Sequence, residues 1–267
     1  MGIPDGSQMR ASMVTLAQAL SLESPARAAL HGLRRLKRFI VSADRRLEKS
    51  YFRSNQVTRL HIACGCHLLT GWLNSEYCPG ALSLLRLDAT KRFPFEDSVF
   101  DYVFSEHMIE HIDFAQGAAM LSEIHRVLKP NGTLRLSTPD LRFLLELYQD
   151  KRSPLQEAYM AWDSLQYTKS PPDNPVFIIN NYMRNWGHTF IYDERTPLSS
   201  LEKAGFGEIR KCQISQSEHP ELRNLENVSR MPSGFLEAVS MIFEATKSEL
   251  VAARGKSATH GVRTQGD

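Results

Sequence analysis

The chain has 267 residues, 42% apolar, 23% charged and 9% aromatic, the profile of a folded globular protein rather than a disordered, collagen-like or membrane-spanning one. Lys plus Arg number 32 against 30 Asp plus Glu, and a net +2 supplies no whole-molecule field of the kind that gathers nucleic acid. The charge is uneven, since the segment from His31 to Leu60 holds nine Arg or Lys against Asp44 and Glu48, a local +7. No apolar run approaches the ~20 residues that cross a bilayer. The first thirty residues lack the basic start, apolar stretch and small-residue cleavage site of a secretory leader, so a soluble intracellular protein is expected. Cys64, Cys66, Cys78 and Cys212 are too few and too clustered for a disulfide scaffold, and reduced thiols are expected. His61, Cys64, Cys66 and His67 are ligand types at short range, but they lack the paired C-x(2–4)-C spacing of structural zinc, and no metal site is expected there.

Met1 to Glu23 is weakly patterned. Ser24-Pro25 is a helix start, and Leu33, Leu36, Ile40, Leu47 and Tyr51 then form one apolar stripe, flanked by Arg34, Arg35, Lys37, Arg38, Arg45, Arg46 and Lys49. The spacing predicts a basic amphipathic helix from Pro25 to Phe52, packed on the domain by its apolar side or serving an anionic surface. Short apolar runs follow, read as strands over Val57–Ala63, Trp72–Glu76, Leu82–Leu87, Phe100–Ser105 and Thr133–Ser137. Asp113 is the expected N-cap of a helix bearing Leu121, Ile124, Val127 and Leu128 on one face and stopped by Lys129-Pro130-Asn131-Gly132. Leu141–Gln149 reads as a further helix, and 151–186 as a helical insertion or lid. Glu194–Ala204 reads as a helix stopped at Gly205, Glu208–Ile214 as a strand, and Leu236–Thr246 as a final strand with a helical start. Residues 247–267 read as a disordered tail. The division is an N-terminal helical extension over 1–54, a main domain over 55–246 and the tail. Strands alternating with helices predict an α/β fold with a largely parallel sheet and helices on both faces.

Ligands of such sheets bind beyond the carboxyl ends of the strands, near the point where strand order reverses. The loops there carry Ala63-Cys64-Gly65-Cys66-His67, Glu76, Asp88, Ser105-Glu106-His107 and Thr138-Pro139-Asp140. For a nucleoside ligand, a small-residue turn admits close backbone approach, one carboxylate accepts both ribose hydroxyls, and a second accepts from an exocyclic adenine amine. This is not the dinucleotide G-x-G-x-x-G pattern.

In order along the chain stand Leu60-His61-Ile62-Ala63-Cys64-Gly65, Gly71-Trp72-Leu73-Asn74-Ser75-Glu76, Asp88-Ala89 through Phe93-Pro94-Phe95-Glu96-Asp97, Ser105-Glu106-His107-Met108-Ile109-Glu110-His111 and Arg126 to Gly132. This series resembles class I S-adenosylmethionine-dependent methyltransferases. It is most similar to a small bacterial branch, often linked to cell-surface glycan or natural-product synthesis, whose glycine turn is followed by Gly-Trp-x-Asn-x-acid. The resemblance implies a Rossmann-like seven-stranded sheet with its last strand antiparallel and S-adenosyl-L-methionine as cofactor. It also implies a cofactor site at Ala63, Cys64, Gly65, Glu76, Asp88, Ala89, Ser105, Glu106 and His107, with Glu76 on the ribose and Asp88 near the adenine. Two positions depart from the family pattern. Ala63 stands where the first glycine usually stands, and His61 stands where many relatives have an acid.

Transfer from a sulfonium needs alignment and, for a hydroxyl acceptor, a base. The candidates are His107, His111, His188 and Asp140. His107 and His111, four apart beside Glu110, fit a base and its orienter, a metal pair or a capping arrangement. His188 fits a packed core histidine equally well, and Trp162, Tyr167, Tyr182 and Trp186 fit either acceptor stacking or packing. The leading expectation is O-methylation of a saccharide or other small-molecule hydroxyl. The alternatives are an N-methyltransferase acting on a peptide or natural product and a non-catalytic partner subunit. No nucleic-acid partner is expected, and a cytoplasmic location is expected, with the basic helix a candidate for holding the protein at the inner face of the membrane.

Overall fold

A computed structural model describes residues 42–248 and Gly32. The expectations for the N-terminal part of the basic helix and for the tail beyond Ser248 therefore lie outside the described residues. What is described of the helix is α1 (Ala43–Ser54), whose Tyr51 is buried against the sheet. The Tyr51 hydroxyl donates to the Arg59 carbonyl at 2.9 Å and accepts from the Arg59 N–H at 2.7 Å, tying the helix to the first strand.

Seven strands follow, β1 (Arg59–Ile62), β2 (Leu73–Glu76), β3 (Leu85–Arg86), β4 (Phe100–Glu106), β5 (Leu128–Pro139), β6 (Gly207–Cys212) and β7 (Ser240–Thr246). They form one sheet in the order β3-β2-β1-β4-β5-β7-β6, with β7 antiparallel to both neighbours and the remaining pairings parallel. Strand order reverses at β1 and β4, so the carboxyl ends of β1, β2 and β4 surround the crevice where such sheets bind ligands. Leu60, Val103, Leu134, Leu136 and Phe243 are fully buried, as expected for strands covered on two sides.

The helix α2 (Phe114–Val127) begins at Asp113, whose carboxylate accepts from the Gln116 N–H while the Gln116 side chain returns to the Asp113 N–H, a reciprocal cap of the kind whose loss costs about 0.5–2 kcal/mol. It buries Leu121, Ile124 and Val127 as their spacing predicts. The residues after it differ from expectation. Lys129 to Gly132 do not merely stop the helix but belong to β5, which pairs from Leu128 with Phe100 and is irregular up to Thr133. The Asn131 N–H donates to the Lys247 carbonyl and the Lys247 N–H to the Gly132 carbonyl, so the end of β7 holds the irregular stretch in the sheet.

Two other elements are shorter than their apolar runs suggest. The third strand is only Leu85–Arg86, and α3 (Leu141–Glu146) ends before Gln149. The 151–186 stretch contains α4 (Pro154–Asp163), a π-helical turn over Ser164–Thr168 and α5 (Pro175–Arg184), each of the two helices opening on proline in its first turn. These helices share a second buried cluster with Phe143, Leu144 and Phe235. Then come α6 (Arg195–Lys203), stopped by Gly205 at φ +98°, and α7 (Phe235–Val239), which is the helical start expected before the last strand.

Candidate cofactor and catalytic site

Ile62 ends β1, and the chain turns sharply through Ala63 at φ +54° and Gly65 at φ +53°. Left-handed backbone suits glycine and costs an alanine roughly 1–2 kcal/mol. Ala63 is therefore strained at the position where the family usually has glycine. Across the turn, the Glu76 carboxylate at the end of β2 accepts from the Gly65 N–H at 3.0 Å and from the Tyr77 N–H at 2.8 Å. Burial pushes this carboxyl above its ordinary range, and the two N–H groups oppose the shift. A carboxylate offers about four acceptor positions. These two bonds use one on each oxygen, which leaves capacity on both for a diol.

His61 lies buried behind the turn with Nδ1 3.1 Å from Asn74 Oδ1, and burial pushes its pKa down to about 4. It is therefore neutral at physiological pH and adds neither an anion nor a cation to the crevice. The Cys64 thiol is pushed up to about 12, first by burial and then by Glu76, which makes it a protonated, unreactive wall of the turn. Asp88 Oδ1 accepts from both the N–H and the hydroxyl of Thr90, and Ala89 is buried beside it.

At the end of β4, Ser105 is fully buried, and its hydroxyl has no partner among the described residues. Glu106 accepts from the Asn227 N–H and lies 3.4 Å from Arg230 and 3.6 Å from His67. Burial alone would raise its pKa, but Arg230, His67 and His107 overcome that and hold it down to about 2. It clamps the loop after β6 to the strand end.

His107 follows at φ +48°. Its Nδ1 is 3.1 Å from Glu110 Oε1 and its Nε2 2.9 Å from Ser240 Oγ. Glu110 is fully buried, yet its pKa is held down to about 2, chiefly by His107, against the opposing effect of burial. An ionised carboxylate only accepts, so His107 Nδ1 donates to it, and in the neutral ring Nε2 is then free to accept from the Ser240 hydroxyl.

The four-residue spacing of His107 and His111 does not place them on one helical face. The left-handed turn at His107 and the short 3-10 turn Ile109–His111 turn them apart, and His111 meets His188 instead, ring centroids 4.8 Å apart and edge to face. His188 follows Trp186 at φ +55° and Gly187 at φ +77°, and its Nδ1 is 2.8 Å from the Tyr182 carbonyl. Burial pushes its pKa down to about 4 and lowers that of His111. Asp140 caps α3 by accepting from the Arg142 N–H.

Trp162, Tyr167, Trp186 and Tyr182 form a chain of edge contacts at 5.1–5.3 Å and belong to or pack against the second buried cluster or one another, so packing engages the rings read as acceptor candidates. Sequence reasoning did not find Ser240 or Arg230. No local signal marks them, since antiparallel pairing of β7 with β5 places Ser240 opposite Pro139 at the strand ends.

A methyltransferase-domain family model matches residues 60–136, from β1 through most of β5, and so includes Gly65, Glu76, Asp88 and the His107–Glu110 pair. The chain carries a class I S-adenosylmethionine-dependent methyltransferase domain. The cofactor fits the residues present, because the paired N–H groups hold the Glu76 carboxylate at the turn with acceptor capacity on both oxygens. Among solved structures, this methyltransferase is similar to an S-adenosylmethionine-dependent methyltransferase from Thermotoga maritima at 16% identity, covering 81% of this chain and 96% of that one with a TM-score of 0.43. Another, from Mesorhizobium loti, is 13% identical over 75% and 97% of the two chains at 0.45. Phosphoethanolamine N-methyltransferase 2 of Haemonchus contortus, in complex with S-adenosyl-L-methionine, is 16% identical over 78% and 53% at 0.40. A search of curated proteins finds no match.

Proposed function

We propose that this methyltransferase methylates a hydroxyl of a saccharide or other small molecule, as in the glycan-associated branch it resembles. His107 serves as the general base, and Glu110 orients it. The carrying observation is the pair itself, a histidine at a strand end whose Nδ1 proton is held 3.1 Å from a fully buried, ionised carboxylate. The backbone at Ala63, Cys64 and Gly65 lines the cofactor, Glu76 holds its ribose, and Asp88 with Ala89 borders the adenine. Ser105, Glu106 and His107 close the site at the end of β4.

When bound, the cofactor supplies a methyl group on a sulfonium whose leaving group is already activated. The chain's task is then alignment, which is worth up to ~7–11 kcal/mol, and removal of the acceptor proton, worth ~10²–10⁴ in rate. In the neutral ring with its proton on Nδ1, His107 Nε2 is free to accept, and an acceptor hydroxyl that replaces Ser240 Oγ there delivers its proton to that nitrogen. His188 is the weaker base. Its Nδ1 donates to the Tyr182 carbonyl, and a pKa near 4 leaves its free nitrogen little basicity. Asp140 has its carboxylate committed to a helix cap.

The test pairs calorimetric titration of the cofactor with a mass-spectrometric search for singly methylated products in extracts. On the acceptor so found, His107→Ala is expected to lower turnover by ~10²–10⁴ and to change cofactor affinity little. Full turnover by His107→Ala would remove the base assignment. Methylation at nitrogen would establish the N-methyltransferase reading instead.

A further inference from the structure

We propose that Glu110, His111 and His188 hold one divalent transition-metal ion of the zinc type, through the Glu110 carboxylate and one ring nitrogen of each histidine. One donor atom from each residue lies within 4.8 Å of the other two, and all three residues are buried. Zinc bonds of about 2.0–2.2 Å in tetrahedral array place ligand atoms roughly 3.3–3.5 Å apart, so a rotamer-scale adjustment closes the set. The three residues leave a fourth position for water or another small oxygen ligand.

Three observations make this more than a cluster of polar groups. His111 Nδ1 is buried and has no hydrogen-bond partner among the described residues. A bare buried ring nitrogen is costly as hydrogen bonding but suited to ligation. His188 is prepared in the manner of a metal-binding histidine, because donation from Nδ1 to the Tyr182 carbonyl fixes the tautomer that leaves Nε2 unprotonated.

Glu110 is the third. Its carboxylate is fully buried, and its ion-pair partner among the described residues is His107, with no Lys or Arg. Among the other buried glutamates, Glu226 and Glu244 are compensated by Arg135 and Glu106 by Arg230. A cation at Glu110 supplies the missing charge. Two imidazoles beside one carboxylate select zinc-type ions over magnesium or calcium, which prefer all-oxygen shells. The same carboxylate orients His107, so an ion here also stiffens the proposed base. That link rests on the methyl-transfer reading, whereas the metal site does not.

The test uses the full chain stripped with a chelator and dialysed, with neither cofactor nor acceptor, so its outcome is separate from that of the methyl-transfer reading. Zinc chloride is titrated against a chromophoric competitor, and bound metal is counted by plasma mass spectrometry. One zinc per chain is expected. His111→Gln and His188→Gln are each expected to weaken binding by at least about 100-fold, since even outer-shell losses cost roughly 10–100-fold. His125→Gln and His219→Gln are expected to leave it unchanged. Circular dichroism of the metal-free variants checks folding. Should a variant fail to fold, histidine ring-nitrogen resonances of the wild type serve instead, with two rings expected to shift on adding zinc. Absence of stoichiometric zinc at micromolar concentration, equal binding by the His111 and His188 variants, or no shift of ring resonances would overturn the site.

Discussion

Ala63 and Glu76 show how single residues shape the turn after β1, the proposed cofactor turn. Ala63 holds a left-handed conformation at φ +54° that a glycine enters without cost, and its own Cβ is the source of the strain. Glycine at the same place loses about 0.4–1 kcal/mol through its freer unfolded chain but removes roughly 1–2 kcal/mol of left-handed strain. Ala63→Gly is therefore expected to stabilise the protein by about 0.5–1 kcal/mol, read as a higher urea midpoint at unchanged slope; a lower midpoint would show that the methyl makes compensating contacts. Glu76 acts differently, through charge and acceptors. Glu76→Ala removes a charged hydrogen-bond acceptor worth about 1.5–3 kcal/mol and is expected to weaken cofactor binding by the corresponding ~10–150-fold in calorimetry. Unchanged affinity in a folded Glu76→Ala protein would transfer the ribose contact to another residue.

Between elements, the most consequential buried contact is made by Arg135 on β5. Its guanidinium, fully buried, donates to Glu226 and Glu244 at 2.6 Å each and to the carbonyls of Gln216 and Gln213. It thereby ties β7 and the long loop after β6 to the centre of the sheet. The same loop reaches Glu106 through Asn227 and Arg230, so the arrangement extends to the strand end that carries His107. Arg135→Met would leave two buried carboxylates without their cation, and such removal costs about 3–5 kcal/mol. Chemical denaturation is expected to show a loss of that size. A loss below about 1 kcal/mol would mean that water reaches the carboxylates on unpairing.

At the scale of the whole molecule, the near-zero net charge conceals a cationic segment between His31 and Leu60, of which residues 42–60 are described and in part dock on the sheet through Tyr51. No described helix is long and apolar enough to cross a membrane. The proposed use of the excess charge is attraction to an anionic lipid surface, worth about 1 kcal/mol per basic residue close to the surface and screened by salt. Reversing Arg34, Arg35, Lys37 and Arg38 to Glu is expected to abolish low-salt binding to phosphatidylserine vesicles in a sedimentation assay, with cofactor affinity retained. No binding by the unaltered chain in low salt would leave this charge without a membrane role. Strand existence, the Asp113 cap, the glycine turn and the acid ending β2 were legible because each follows from local pattern, namely short apolar runs, a capping side chain before a helical stripe, and residue types at strand ends. The short third strand and the stretch of β5 before Thr133 were not, because strand membership there depends on hydrogen bonds to Glu76 and Lys247 from elsewhere in the chain. The site divides in the same way. Gly65 and Glu76 declare themselves by position, whereas sequence spacing paired His107 with His111 and left His188 as an undecided core residue. Only the fold decided otherwise, since the left-handed backbone at His107 turns it to Glu110 and Ser240, and the Thr189 and Phe190 N–H groups on the Glu110 carbonyl bring His188 against His111.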